Sequence, residues 1–285
     1  MTLFLEPRTV AEAVACFRDH PEARCMSGGA TLVAMMNAGL ADPPAVVSLR
    51  RIAELVGIAP AADGWTKIGG MTPHRVTAAE TRLAGGQAIV RLAAGRIANP
   101  PVRNMGTIGG SISFSDPAAD YPAALVAADA EIEVVGSGGG RRIAAQDFFV
   151  DWYTTALEPG EIVVAVHLPP APRAAAAYEK LVKTEGDMGI ATVAAVVEMD
   201  RGACSDLRVA VGACGPHPVR LRESESDLIG GRLDADAVAR LASRLAEALD
   251  PVDDVRASSD YRRKVVPRMV ARAIATARAR AEGEQ

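Results

Sequence analysis

The stretch ARCMSGGATLVAMMNA, residues Ala23–Ala38, decides how the chain begins to fold. Ala23–Ser27 reads as a short apolar strand, Gly28-Gly29 stops it, and Thr31–Ala38 reads as a helix. Strand, glycine turn and helix in that order make half of an alternating α/β unit. Toward the N-terminus, Thr9 stands three residues before Glu12 as a capping box. Val10, Val14 and Phe17 then form a helical stripe that ends near His20-Pro21. Toward the C-terminus, Ala45–Leu49 and Trp65–Ile68 read as strands and Ala78–Ala94 as a helix. Asn99–Phe114, rich in Gly, Pro and Asn, is expected to be a long loop with short extended pieces. Ala118–Ala128 follows as a helix started by Asp116-Pro117. Glu131–Val135 and Glu161–Leu168 are strands. Gly136–Gly140 between them reads as a hairpin tip, since no Lys-Ser/Thr and no helix follow it.

The texture then changes. Pro169–Pro172 with Ala174–Ala177 reads as a linker. Ile190–Met199 and Leu207–Cys214 are β-rich runs around the hairpin signal Asp200-Arg201-Gly202. Helical runs Arg222–Ile229, Asp236–Leu249 and Ser259–Ala281 close the chain. An α+β fold in two parts, 1–172 and 173–285, is the expected organisation.

Composition narrows the function. In 285 residues, 49% are hydrophobic and 23% charged, enough for a real core. The net charge of −4 gives no basic surplus for nucleic acid. No apolar run reaches about 18 residues, so no membrane span is expected. The start, MTLFLEPRTV, lacks the features of a signal peptide, which points to the cytoplasm. Cys16, Cys25, Cys204 and Cys214 form no CxxC pair, so no iron–sulfur cluster is expected on this chain. The scattered histidines His20, His74, His167 and His217 show no zinc spacing.

Two segments carry chemistry. Ser27-Gly28-Gly29-Ala30-Thr31 places glycines and hydroxyls ahead of a helix, where free N–H groups and the helix dipole favour an anion. It is not GxGxxG, lacks a P-loop lysine, and serves equally as an ordinary strand-to-helix turn. Thr107-Ile108-Gly109-Gly110-Ser111 repeats the pattern before Asp116-Pro117-Ala118-Ala119-Asp120. There Asp120 offers an acceptor to a ribose or adenine, while Asp116 is also a plain N-cap. Two such loops within one α/β stretch argue jointly for a dinucleotide between them.

These segments, with Val102-Arg103-Asn104, resemble the FAD-binding subunits of molybdenum hydroxylases, the medium chains of the carbon monoxide, nicotine, caffeine and xanthine dehydrogenase type. The likeness extends through Ile68–His74, Tyr178–Asp187, Val209–Arg220 and Ala257–Arg263, nearly the whole chain. It implies two α/β FAD-binding subdomains of the vanillyl-alcohol-oxidase type, with a boundary near residues 55–65, and a C-terminal domain of antiparallel strands and helices. It also implies extended FAD, with Ser27, Gly28, Gly29, Ala30, Thr31 and Leu32 and Thr107, Gly109, Gly110 and Ser111 at the pyrophosphate. Asp116 and Asp120 would lie at the adenosine end, Ile97 and Val163 against the cofactor, and Lys183 near the flavin. The chain departs from the family at Ala30, where a polar residue is common, and at Met188, where an aromatic is frequent. The implied function is electron transfer: from a large molybdenum-cofactor chain, through 2Fe–2S clusters on a small chain, to this FAD and an external acceptor such as NAD, a quinone or oxygen. The implied assembly is a dimer of heterotrimers. The flavin would perform the redox step, with no catalytic side chain.

Two other readings stay open. A self-contained FAD oxidase or dehydrogenase would need His74 or His167 as its base. A non-catalytic nucleotide-binding assembly subunit would carry no redox cofactor. Cys25 is expected buried and inert, Asp147–Tyr153 as core packing, and Arg262-Arg263-Lys264 as a solvated face.

Overall fold

The computed structural model describes residues 2–283. The first subdomain comprises β1 (Leu3–Leu5), α1 (Val10–Asp19), β2 (Arg24–Met26), α2 (Leu32–Asn37) and β3 (Ala45–Ser48). Thr9 caps α1 by accepting from the Glu12 N–H, and Glu12 in turn accepts from the Arg8 N–H. The strands form a parallel sheet in the order β1-β3-β2, so the glycine turn leaves the carboxyl end of an edge strand. Cys25, on that edge, is exposed rather than buried.

The second subdomain contains β4 (Ile58–Pro60), β5 (Thr66–Gly69), α3 (His74–Ala79), α4 (Ala88–Gly95), α5 (Pro100–Met105), α6 (Ile108–Phe114) and α7 (Tyr121–Ala127). It continues with β6 (Glu131–Gly136), β7 (Gly139–Ala144), α8 (Ala145–Phe148), β8 (Phe149–Asp151), β9 (Thr154–Thr155) and β10 (Ile162–Leu168). Its main sheet runs β4-β5-β10-β6-β7, antiparallel throughout. Strand β10 is buried on both faces, which explains its unbroken apolar sequence. Ile162 and Val164 face the first subdomain's cluster of Ala13, Phe17, Val47 and Leu55; Val163, Val166 and Leu168 face the central core.

The C-terminal part is β11 (Ala175–Leu181), β12 (Ala191–Asp200), β13 (Ala203–Gly212), α9 (Arg222–Ser226), α10 (Ala235–Glu247) and α11 (Ser259–Ala281). Its antiparallel sheet β11-β12-β13 is again covered twice. Val193, Ala195, Val197 and Val209 pack under α10 and α11, while Ala176, Ala194, Val196 and Ala210 join the central core against α4 and α7. Small residues dominate that second face, and α7, YPAALVA, is wholly buried against it. No helix among the described residues is long and apolar enough to cross a membrane.

Several local expectations are corrected. The segment 99–114 is two helices, not a loop. Asn99 caps α5 by accepting from the Val102 N–H, with prolines in the first turn, and Thr107 caps α6. Glycine misled here because Gly109 serves contact rather than turning: a Cβ on it would lie 2.6 Å from the Gly70 carbonyl oxygen. The single helix expected over 78–94 is broken at Gly85, whose φ is +58°. Of the expected linker at Ala174–Ala177, all but Ala174 is instead the start of β11, Ala175–Leu181. Phe148 and Phe149 are core, but Trp152 and Tyr153 are exposed. Arg262 is no solvated residue: it is buried, donating to the carbonyls of Ile190 and Ala213 and to Asp254.

Candidate cofactor site

The two glycine loops meet. Ser27 Oγ lies 2.6 Å from Thr107 Oγ1. Gly28 lies so close to the α5–α6 turn that a Cβ on it would be 1.7 Å from the Met105 carbonyl oxygen. Gly29 turns with φ +80° toward α2, which begins at Leu32 after Thr31 at its N-cap. No backbone carbonyl among the described residues accepts from the N–H groups of Gly28 through Leu32. The second loop differs. The N–H groups of Ile108, Gly109, Gly110 and Ser111 go to Thr72 O, Gly70 O, Thr107 Oγ1 and Thr107 O. The first loop therefore keeps its N–H groups free of backbone acceptors, and the Ser27–Thr107 contact ties it to the start of α6. Neither loop contains a carboxylate.

A second polar cluster lies at the seam between the second subdomain and the C-terminal part. Lys180 Nζ donates to Asp120 Oδ2 at 2.8 Å and to the Arg96 carbonyl at 3.0 Å; Tyr178 Oη donates to Asp120 Oδ1 at 2.8 Å. The Lys180 and Asp120 side chains are only 2% and 3% exposed. Burial pushes the Asp120 carboxyl up while the Lys180 ammonium and Tyr178 hydroxyl pull it down. Asp120 thus meets donors of its own chain on both oxygens. Lys180, Arg96, Arg103, Ala98 and Glu185 line a small polar cavity there. Arg103 donates to the carbonyls of Ile97 and Ala98, holding Ala98 at φ +40°.

The remaining predicted residues are placed as follows. Asp116 Oδ1 accepts from the Ala118 N–H and shapes the turn into α7. Ile97 is half-buried against the central core, and Val163 is inside it. Lys183 turns away to the Val255 carbonyl, and the lysine that lines the seam cavity is Lys180. Sequence reading missed Lys180; the available signal was its place two residues after Tyr178 on one face of a strand. His74 Nδ1 lies 3.2 Å from Tyr121 Oη, and burial, assisted by the nearby Arg103 charge, pushes the imidazole down to about 4. His167 is buried too, 2.7 Å from Glu133. Among the described residues no cluster of His, Cys, Asp and Glu could hold a metal.

A diphosphate carries two negative charges and needs several donors with no acceptor crowding it. The open N–H groups of Gly28–Leu32 and the lack of loop carboxylates meet that requirement.

A family model for the FAD binding domain in molybdopterin dehydrogenase matches residues 1–171, and one for the CO dehydrogenase flavoprotein C-terminal domain matches residues 176–277. The carbon monoxide dehydrogenase medium chain of Afipia carboxidovorans is 37% identical, covering 97% of this chain and 96% of the relative. The xanthine dehydrogenase FAD-binding subunit of Escherichia coli O157:H7 is 27% identical, covering 97% and 96%. A crystal structure of Cu,Mo-CO dehydrogenase superposes with a TM-score of 0.94 at 34% identity, covering 98% of this chain and 99% of that one. Quinoline 2-oxidoreductase from Pseudomonas putida 86 gives 0.91 at 28%, covering 100% and 98%.

Proposed function

Because this chain belongs to the family of FAD-binding subunits of molybdenum-containing dehydrogenases, we propose that it is the electron-transfer subunit of a heterotrimeric molybdenum hydroxylase. Electrons would enter from 2Fe–2S clusters on a small chain, having left the substrate at a molybdenum centre on a large chain, and depart to an external acceptor. Bound FAD supplies the electron exchange that links those clusters to the acceptor. This chain's own residues bind and orient. The Gly28–Leu32 N–H groups hold the diphosphate, the second loop braces them, and the C-terminal part closes the seam with Lys180 and Arg103 facing its cavity.

The observation that carries this reading is the set of open N–H groups on a loop locked to a second glycine loop. Partners follow from chemistry as well as likeness: the four cysteines are all unpaired, form no CxxC, and fall in two groups, Cys16/Cys25 and Cys204/Cys214, far apart in sequence, which does not suit a cluster. Unpaired thiols also fit the cytoplasm. The self-contained alternative is disfavoured by His74 and His167, both buried and engaged with Tyr121 and Glu133. The test is purification of the tagged chain from its native source. Co-purification of two further chains with molybdenum, iron and releasable FAD is expected. A lone chain, or one releasing FMN or no flavin, would overturn the proposal.

A further inference from the structure

Met71 belongs to neither glycine loop. It lies between β5 and α3, yet its sulfur touches the clasp that joins them. We propose that Met71 is a positioning residue for FAD: its sulfur is the terminal acceptor of a one-way hydrogen-bond chain that locks the two cofactor loops in register. This rests on the reading that the loops hold FAD.

The direction follows from the donors. Ser27 Oγ lies 2.8 Å from Met71 Sδ and 2.6 Å from Thr107 Oγ1. A thioether has no proton, so Ser27 must donate to it. Ser27 has a single hydroxyl proton, so Thr107 must donate to Ser27 Oγ. Thr107 Oγ1 in turn accepts from the Gly110 N–H at 3.1 Å. The chain therefore runs Gly110 to Thr107 to Ser27 to Met71, crossing from the second subdomain to the first at Ser27 and returning to the second at the sulfur. Both hydroxyl protons are committed within the protein, and the donors left for a diphosphate are the N–H groups of Gly28–Leu32. Without the sulfur, the Ser27 proton loses that acceptor and the Ser27–Thr107 bond is free to reverse, so nothing fixes the direction of the clasp.

Met71 also packs in the apolar cluster of Val47, Ile52 and Leu55, where leucine would fill the space as well. Packing and acceptor roles therefore predict opposite orders. The experiment is FAD titration of the full-length apo chain, followed by flavin fluorescence quenching, in wild type, Met71→Leu, Met71→Gln, Ser27→Ala and the Met71→Leu/Ser27→Ala pair. The acceptor role predicts that Leu weakens binding about three- to ten-fold, that Gln, which keeps an acceptor oxygen, binds more tightly than Leu, and that Leu adds nothing once Ser27 is Ala. Leu equal to wild type, Gln weaker than Leu, or fully multiplicative effects of Leu and Ser27→Ala would each overturn it. A wild-type chain that takes up no FAD would sink the cofactor reading itself; tight wild-type binding with no response at Met71 would sink this inference alone.

Discussion

At the residue scale the site depends on contacts that admit no side chain. Gly28→Ala would drive a Cβ into the Met105 carbonyl oxygen, 1.7 Å away, so the loops must separate. Loss of bound FAD is expected in absorbance spectra of the purified variant, with a lowered Tm; full flavin content would contradict the close approach. His74 gives a pH signature. Its folded pKa is depressed from 6.5 to about 4, so its contribution to stability is complete above 6.5 and is lost as pH falls toward 4 while the unfolded chain takes up the proton. That depression is worth about 3 kcal/mol. Urea unfolding should show a shallower acid slope between pH 6.5 and 4 for His74→Gln than for wild type, and equal slopes would place His74 in water. The first glycine loop was legible in the sequence because strand, glycine and helix follow one another locally. Lys180 and Met71 were not, because their roles come from partners 60 and 44 residues away.

At the element scale, α7 is the axle between the two parts. Its buried alanines let β12 and β13 approach closely, and charges grip both ends. Lys180 holds Asp120 before its first turn; Arg208, Arg220 and Arg222 hold Asp129 just beyond its last. Removing one member of a buried pair strands the other. Lys180→Met should therefore destabilise the chain by about 3–5 kcal/mol in urea unfolding, with Lys180→Met/Asp120→Asn recovering part of the loss. A double variant as weak as the sum of both singles would mean that the pair does not couple. Helix α7 was legible because its apolar run is continuous, although it starts at Tyr121 after Asp120 rather than directly after Asp116-Pro117. Helices α5 and α6 were not. Their glycines and prolines read as loop signals, although prolines occupy the first turn of one and Gly109 meets Gly70 in the other. Likewise β11 was hidden by its alanines, which fit the close space between α4 and α11 despite their low strand propensity.

At the scale of the whole molecule, three layers of sheet share two faces: β10 lies between the subdomain cores, and β12 between the central core and the terminal helices. This arrangement leaves the glycine loops and the seam cavity on a frame of packed sheets, with His74 and His167 both engaged elsewhere, by Tyr121 and Glu133. The chain should therefore hold and relay electrons without choosing the substrate. Anaerobic stopped-flow absorbance in the flavin band tests this most directly, using the FAD-loaded chain with and without its two partner chains. With an organic substrate that the complete assembly oxidises, the chain alone should show no flavin reduction, and adding the partners should make it rapid. Rapid reduction of the flavin by that substrate in the isolated chain would contradict the relay and establish a self-contained flavoenzyme.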